Sequence, residues 1–118
     1  MTLHDIERFD TGPRMSEMTA HKGTLYLAGQ VAADATQDIR GQTQQVLAVI
    51  DALLARAGSS KSRLLRVEIF LADIADFAAM NEVWEAWLPT GAAPARATVQ
   101  AALARPAWKV ELVVTAAG

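Results

Sequence analysis

Two stretches in the last quarter of the sequence carry ionisable groups at a spacing that suits chemistry. In Pro94-Ala95-Arg96-Ala97-Thr98-Val99-Gln100, strand alternation sets Arg96, Thr98 and Gln100 on one side and Ala95, Ala97 and Val99 on the other. From Trp108 to Thr115, Lys109 and Glu111 share a face, while Val110, Leu112 and Val114 share the opposite one. Two adjacent C-terminal strands of this kind each present a charged residue amid small or apolar neighbours. A guanidinium so placed can hold a carboxylate through two parallel hydrogen bonds, a geometry lysine cannot supply. A glutamate nearby can act as general base on water. The plainer alternative is a pair of solvated side chains on an exposed strand, where an ion pair contributes about 0–1 kcal/mol.

Other chemistries find little support. The histidines, His4 and His21, are far apart and without cysteine companions, so no metal site is expected. There is no cysteine, which excludes thiolate nucleophiles and disulfides and is compatible with a reducing compartment. No Gly-rich phosphate loop occurs, and no serine stands in a G-x-S-x-G context. With a net charge of −2 and no basic stripe, nucleic acid is not an expected partner. The start of the sequence, MTLHDIERFD, lacks the pattern of a signal peptide, and no apolar run approaches the length of a membrane span. A cytoplasmic protein without cofactors, binding neither membrane nor nucleic acid, is the expectation.

The elements that must position these residues are legible in outline. At 118 residues and 52% hydrophobic, the chain suits one domain over 1–118. Residues 3–9 read as a short edge strand, and Asp10-Thr11-Gly12-Pro13 as a turn. A hairpin turn at Lys22-Gly23 leads into a strand from Thr24 to Val31, whose Gly29 marks a bulge or a close backbone approach. Over 37–57, Val46, Leu47, Ile50, Leu53, Leu54 and Ala57 keep the spacing of one buried helical stripe, stopped by Gly58. Leu65, Val67, Ile69 and Leu71 then alternate with Arg66, Glu68 and Phe70 in a clear strand. Asp76 is a candidate N-cap for a second helix, with Phe77, Met80, Val83, Trp84 and Trp87 as its stripe. Two final strands follow, with Arg105-Pro106-Ala107 as the turn between them. The predicted order is β-β-α-β-α-β-β with a hairpin at each end. That order favours an α+β fold, a mixed sheet with two helices packed on one face. Its other face, if apolar, must meet another subunit.

Four segments together bear a family resemblance. Leu27-Ala28-Gly29-Gln30-Val31 resembles the [S/A/T]-G-Q strand end of Rid (reactive intermediate deaminase, or YjgF) proteins. Asp76-Phe77-Ala78-Ala79-Met80-Asn81 is similar to their D-F-x-x-[VM]-N helix start. Pro94-Ala95-Arg96-Ala97-Thr98-Val99 resembles their P-A-R-[S/T] signature, and Lys109-Val110-Glu111-Leu112 their final strand. The resemblance covers essentially the whole chain and is strongest to the YoaB-like branch.

That resemblance implies a chorismate-mutase-like fold and a homotrimer with three clefts between subunits. It implies hydrolysis of reactive 2-imino and enamino acids to 2-keto acids and ammonia, without a cofactor. Arg96 would bind the carboxylate of the small-molecule substrate, and Glu111 would position or activate the water. The backbone of Gly29 and Gln30 would line the pocket, with Asn81 near it. Met15 stands where many members have tyrosine, Ala28 where they have serine, and Thr98 where cysteine is common. Loss of two polar pocket groups keeps an alternative open, a non-catalytic trimer that binds ligands or acts as a chaperone. Ribonuclease activity is disfavoured by the charge balance.

Overall fold

The buried stripe of the first helix is the organising feature of the core. In the computed structural model, which describes residues 5–118, α1 spans Ile39–Arg56. Its start is fixed by Asp38, whose Oδ1 accepts the Gly41 N–H at 2.9 Å. It ends ahead of Gly58, at φ +73, with the Ser59 N–H returning to the Leu54 carbonyl. Val46, Leu47, Ile50, Leu53 and Leu54 are buried as the periodicity requires.

Six strands form one mixed sheet: β1 (Ile6–Phe9), β2 (Met18–His21), β3 (Thr24–Leu27), β4 (Leu64–Leu71), β5 (Ala95–Gln100) and β6 (Val110–Ala117). Their spatial order is β1-β2-β3-β6-β4-β5; only the β4/β5 pair is parallel. Val67, Ile69 and Leu71 of β4 and Val110, Leu112 and Val114 of β6 pack into one core with α1 and with Met80 and Trp84 of α2 (Phe77–Trp87). The two helices thus cover one face of the sheet. Residues on the other face include Tyr26, Phe70, Val99 and Glu111, as the strand register requires. Tyr26 and Val99 are exposed there. Among the described residues, no helix is long and apolar enough to cross a membrane.

Four sequence expectations need correction. Met18–His21 is a strand in its own right, pairing with β1 and β3, so three strands precede α1 instead of two. It is short and only Met18 is buried, which is why no period of two stands out. The strand from Thr24 stops at Leu27, not Val31; Gln30 rejoins the sheet as a single bridge to Leu112. The two last strands form no hairpin: β6 inserts between β3 and β4, and β5 lies beyond β4 at the sheet edge. Residues 101–109 are too long a connection for a tight turn. Asp76 precedes α2 without a capping side-chain bond; a 3-10 turn, Ile74–Asp76, leads in, with Asp73 Oδ1 accepting the Ala75 N–H. The start of the predicted first strand, and His4, lie outside the described residues.

Candidate functional site

Arg96 sits on the edge strand β5, in register with Val67, and Thr98 is in register with Ile69. Both therefore face the helix layer. The Arg96 Nη1 donates to Asn81 Oδ1 at 2.7 Å. Its Cζ lies 5.7 Å from the centroid of the Phe77 ring and 5.6 Å from that of Trp84. Cation–π attraction on two rings and one hydrogen bond thus fix a partly buried guanidinium. Among the described residues Arg96 forms no ion pair. Beside it the Thr98 hydroxyl is buried and has no hydrogen-bond partner. Buried polar atoms are normally paired, so an orphan of this kind marks a place where a further polar group fits. Gln100, next on the same side, accepts the Ile74 N–H through Oε1 at 2.8 Å.

Glu111 lies elsewhere. It is opposite Phe70 on the uncovered face, and its carboxylate rests against Gly29. A Cβ on Gly29 would stand 2.9 Å from Glu111 Cδ and closer still to the carboxylate oxygen, so the Glu111 carboxylate can keep this position only against a glycine. The expectation of a close approach at Gly29 is met, and Glu111 is what approaches. A recess of about 240 Å³ opens beside it, lined by Phe70, Ala101, Ala102, Leu103, Ala104 and Glu111.

The structure therefore brings Arg96, Asn81 and Thr98 together, and separately Glu111 with Gly29. Within one subunit these groups are on opposite faces of the sheet, with β4 between their strands. Two strand spacings and three residues of offset put them roughly 14 Å apart along the backbone plane. Gln30 is only 7% exposed; its backbone N–H and C=O both bond Leu112, and its Nε2 donates to Glu17 Oε2 and the Ala28 carbonyl. It braces the turn and leaves Gly29 as the backbone facing Glu111. Ala28 donates its N–H to the Glu17 carbonyl. Met15 is half exposed in the loop after β1, its carbonyl accepting from Gly12.

Sequence reasoning missed two sets of residues. Phe77 and Trp84 belong by spacing to the α2 core stripe, yet they also meet Arg96, and nothing in that spacing distinguishes the two roles. Gln42 is fully buried, donating to the carbonyls of Ala35, Gln37 and Ala107 and accepting the Lys109 N–H. It ties the segment leading into β6 to α1, and no local pattern announces it. A larger groove, about 470 Å³, runs between α1 and α2, bounded by the Arg40–Glu82 ion pair and the Trp87–Asp51 hydrogen bond. None of the predicted site residues lines it.

Comparison with known proteins resolves the family. Residues 6–118 match the model of the Endoribonuclease L-PSP family. The chain belongs to that family. Among Rid/YjgF proteins it is similar to the YoaB-like branch: it is 48% identical over 112 residues to the RutC family protein YoaB of Escherichia coli K12, covering 95% of this chain and 97% of that one. A YjgF family member from Neisseria meningitidis has a similar structure, with a TM-score of 0.93, 46% identity, and 96% and 94% of the two chains covered. A protein of the conserved Rid family from Yersinia pestis superposes with a TM-score of 0.88 at 27% identity, covering 96% and 99%. The mixed sheet with two helices on one face is thus the Rid/YjgF fold.

Proposed function

We propose that this Rid/YjgF protein is an enamine/imine deaminase, hydrolysing reactive 2-imino acids to 2-keto acids and ammonia in the cytoplasm. The observation that carries the proposal is Arg96: a partly buried cation, oriented by Asn81 and two aromatic rings, with no carboxylate against it among the described residues. A substrate carboxylate supplies the missing counter-charge, and the Thr98 hydroxyl is at hand for a second polar contact.

Glu111 is the proposed general base. It takes a proton from water as the oxygen adds to the electrophilic carbon of the protonated imine and returns that proton to the nitrogen of the resulting carbinolamine; the hydroxyl gives up its remaining proton to Glu111 as the C–N bond breaks, and ammonia leaves the new ketone. No cofactor is needed for this chemistry. Because Arg96 and Glu111 of one subunit are on opposite faces, no small substrate reaches both. The proposed site therefore lies between subunits of a homotrimer, where one copy's Arg96 edge meets another's uncovered sheet face. The exposed Tyr26 and Val99 on that face favour such an assembly. Sedimentation equilibrium should give about three times the 12.6 kDa chain mass; a stable monomer at micromolar concentration would dismantle the site.

The absence of polar side chains at Met15 and Ala28 favours a second possibility, a trimer that binds carboxylates without turnover. The loss of freshly generated 2-iminopropanoate, followed with and without purified protein, decides between them. Acceleration supports the deaminase. Pyruvate binding without acceleration supports the binding protein.

A further inference from the structure

Phe77, Asn81 and Trp84 follow one another at i, i+4 and i+7 and so form a single row along α2. All three meet one guanidinium. Trp84 is 5% exposed and packed at a tilt against Trp87, ring centroids 5.6 Å apart, which makes it a fixed plate. Phe77, 40% exposed, is the outer one. The contact set is electrically neutral throughout. Two other arginines show the contrast. Arg40 is paired with Glu82 and Arg56 with Asp10, and in each case the carboxylate holds the guanidinium further above its ordinary range. Those charges are already matched inside the molecule. At Arg96 an aspartate in place of Asn81 would grip equally well, but it would cancel the charge. Asparagine supplies the acceptor without doing so.

We propose that the Asn81–Trp84 face of α2 is a positioning device for Arg96: neutral contacts alone hold the guanidinium, leaving its charge and its Nε and Nη2 donors for a ligand carboxylate. This rests on the carboxylate-binding role given to Arg96 above. Trp84 is inside the core and Asn81 spends its oxygen on Arg96, so both are positioning residues.

Variants of the assembled protein, titrated with pyruvate by calorimetry and melted thermally, test it. Asn81→Asp changes size hardly at all and adds one charge. It should lower pyruvate affinity at neutral pH by about ten-fold or more, because an internal carboxylate competes for the same cation. Its melting temperature should hold or rise, since the new pair is formed on a partly buried group. Affinity and stability moving in opposite directions is an outcome that a merely structural asparagine does not produce. Trp84→Phe keeps a ring and should stay near wild type, whereas Trp84→Leu should weaken pyruvate binding and raise KM for the imine more than it lowers kcat. Wild-type affinity in Asn81→Asp overturns the proposal, and so does affinity lost together with melting temperature. The Arg96 Hε resonance, assigned by its absence in Arg96→Ala, separates this proposal from the one it rests on. Ring currents should displace it in the wild type and clearly less in Trp84→Leu, where only the Phe77 ring remains, whether or not pyruvate binds. A displaced resonance with pyruvate binding intact in Arg96→Ala would sink the carboxylate role and leave only the grip.

Discussion

Replacing Gly29 by alanine tests the placement of Glu111 more sharply than removing the carboxylate does. The added Cβ would collide with Oε2, stand 2.9 Å from Cδ and 3.3 Å from Cγ of Glu111, and meet no backbone within the same range. The obstacle is thus a side chain that can rotate away, at the rim of a recess open enough to receive it. Stability should fall by no more than about 1 kcal/mol, the lower end of what overpacking costs, since no close-packed core must yield. The carboxylate, however, must move by about 1 Å or more, and a misplacement of that size costs roughly 10²-fold in rate. Gly29→Ala should therefore lose about a hundredfold in turnover of 2-iminopropanoate while melting within a few degrees of the wild type. Pyruvate affinity, which depends on Arg96, should hardly change. Unimpaired turnover in this variant would refute the assignment of Glu111 to the water, whatever the result at Arg96.

Three further outcomes are expected. Arg96→Ala should abolish measurable pyruvate binding without dissociating the assembly, because removing one partner of a desolvated pair costs about 3 kcal/mol, over a hundredfold in affinity; Arg96→Lys should also bind poorly, having no bidentate fork. Glu111→Gln should keep pyruvate affinity in calorimetry and lower turnover about 10²–10⁴-fold, since an amide takes no proton from water. Gln42→Ala leaves three partly buried carbonyls and the Lys109 N–H without their partner, and chemical denaturation should show a loss of about 1–3 kcal/mol; an unchanged midpoint would mean that water replaces the amide.

Local pattern revealed the elements, and its limits are physical. The α1 stripe and the alternation from Val67 to Leu71 in β4 were readable because each buries one regular face against the core; the expected stripe fails at Leu65, where a register shift between Leu64 and Arg66 buries Leu64 and leaves Leu65 exposed. Alternation also grouped Arg96 with Thr98 correctly. What alternation cannot say is which strand lies beside which. Arg96 and Glu111 were expected on adjacent strands, yet β4 separates them and they point to opposite faces, because pairing is decided by partners far away in sequence. The four segments resembling Rid proteins identified the family from residues alone. The brace made by Gln42 and the row of Phe77, Asn81 and Trp84 on Arg96 needed three dimensions: a buried glutamine has no sequence signature, and aromatics at helical spacing look the same whether they touch leucine or a guanidinium.

The position of β6 has a consequence for how the molecule is made. Strands β1–β3 form one meander, and β4–α2–β5 form a second unit, but no ladder joins the two except through β6. Pairs such as Leu25↔Ala116 and Val67↔Val114 close loops that span most of the chain or a large part of it. Contacts of that range form late, after the local units whose entropy cost is smaller. Without residues 110–117 no ladder among the described residues joins the two halves, and each would present an open edge of unpaired backbone to other chains. The strand that carries Glu111 is therefore also the keystone of folding. Substitutions in it should show themselves as slow assembly and aggregation during synthesis before they show any loss of stability in the finished protein.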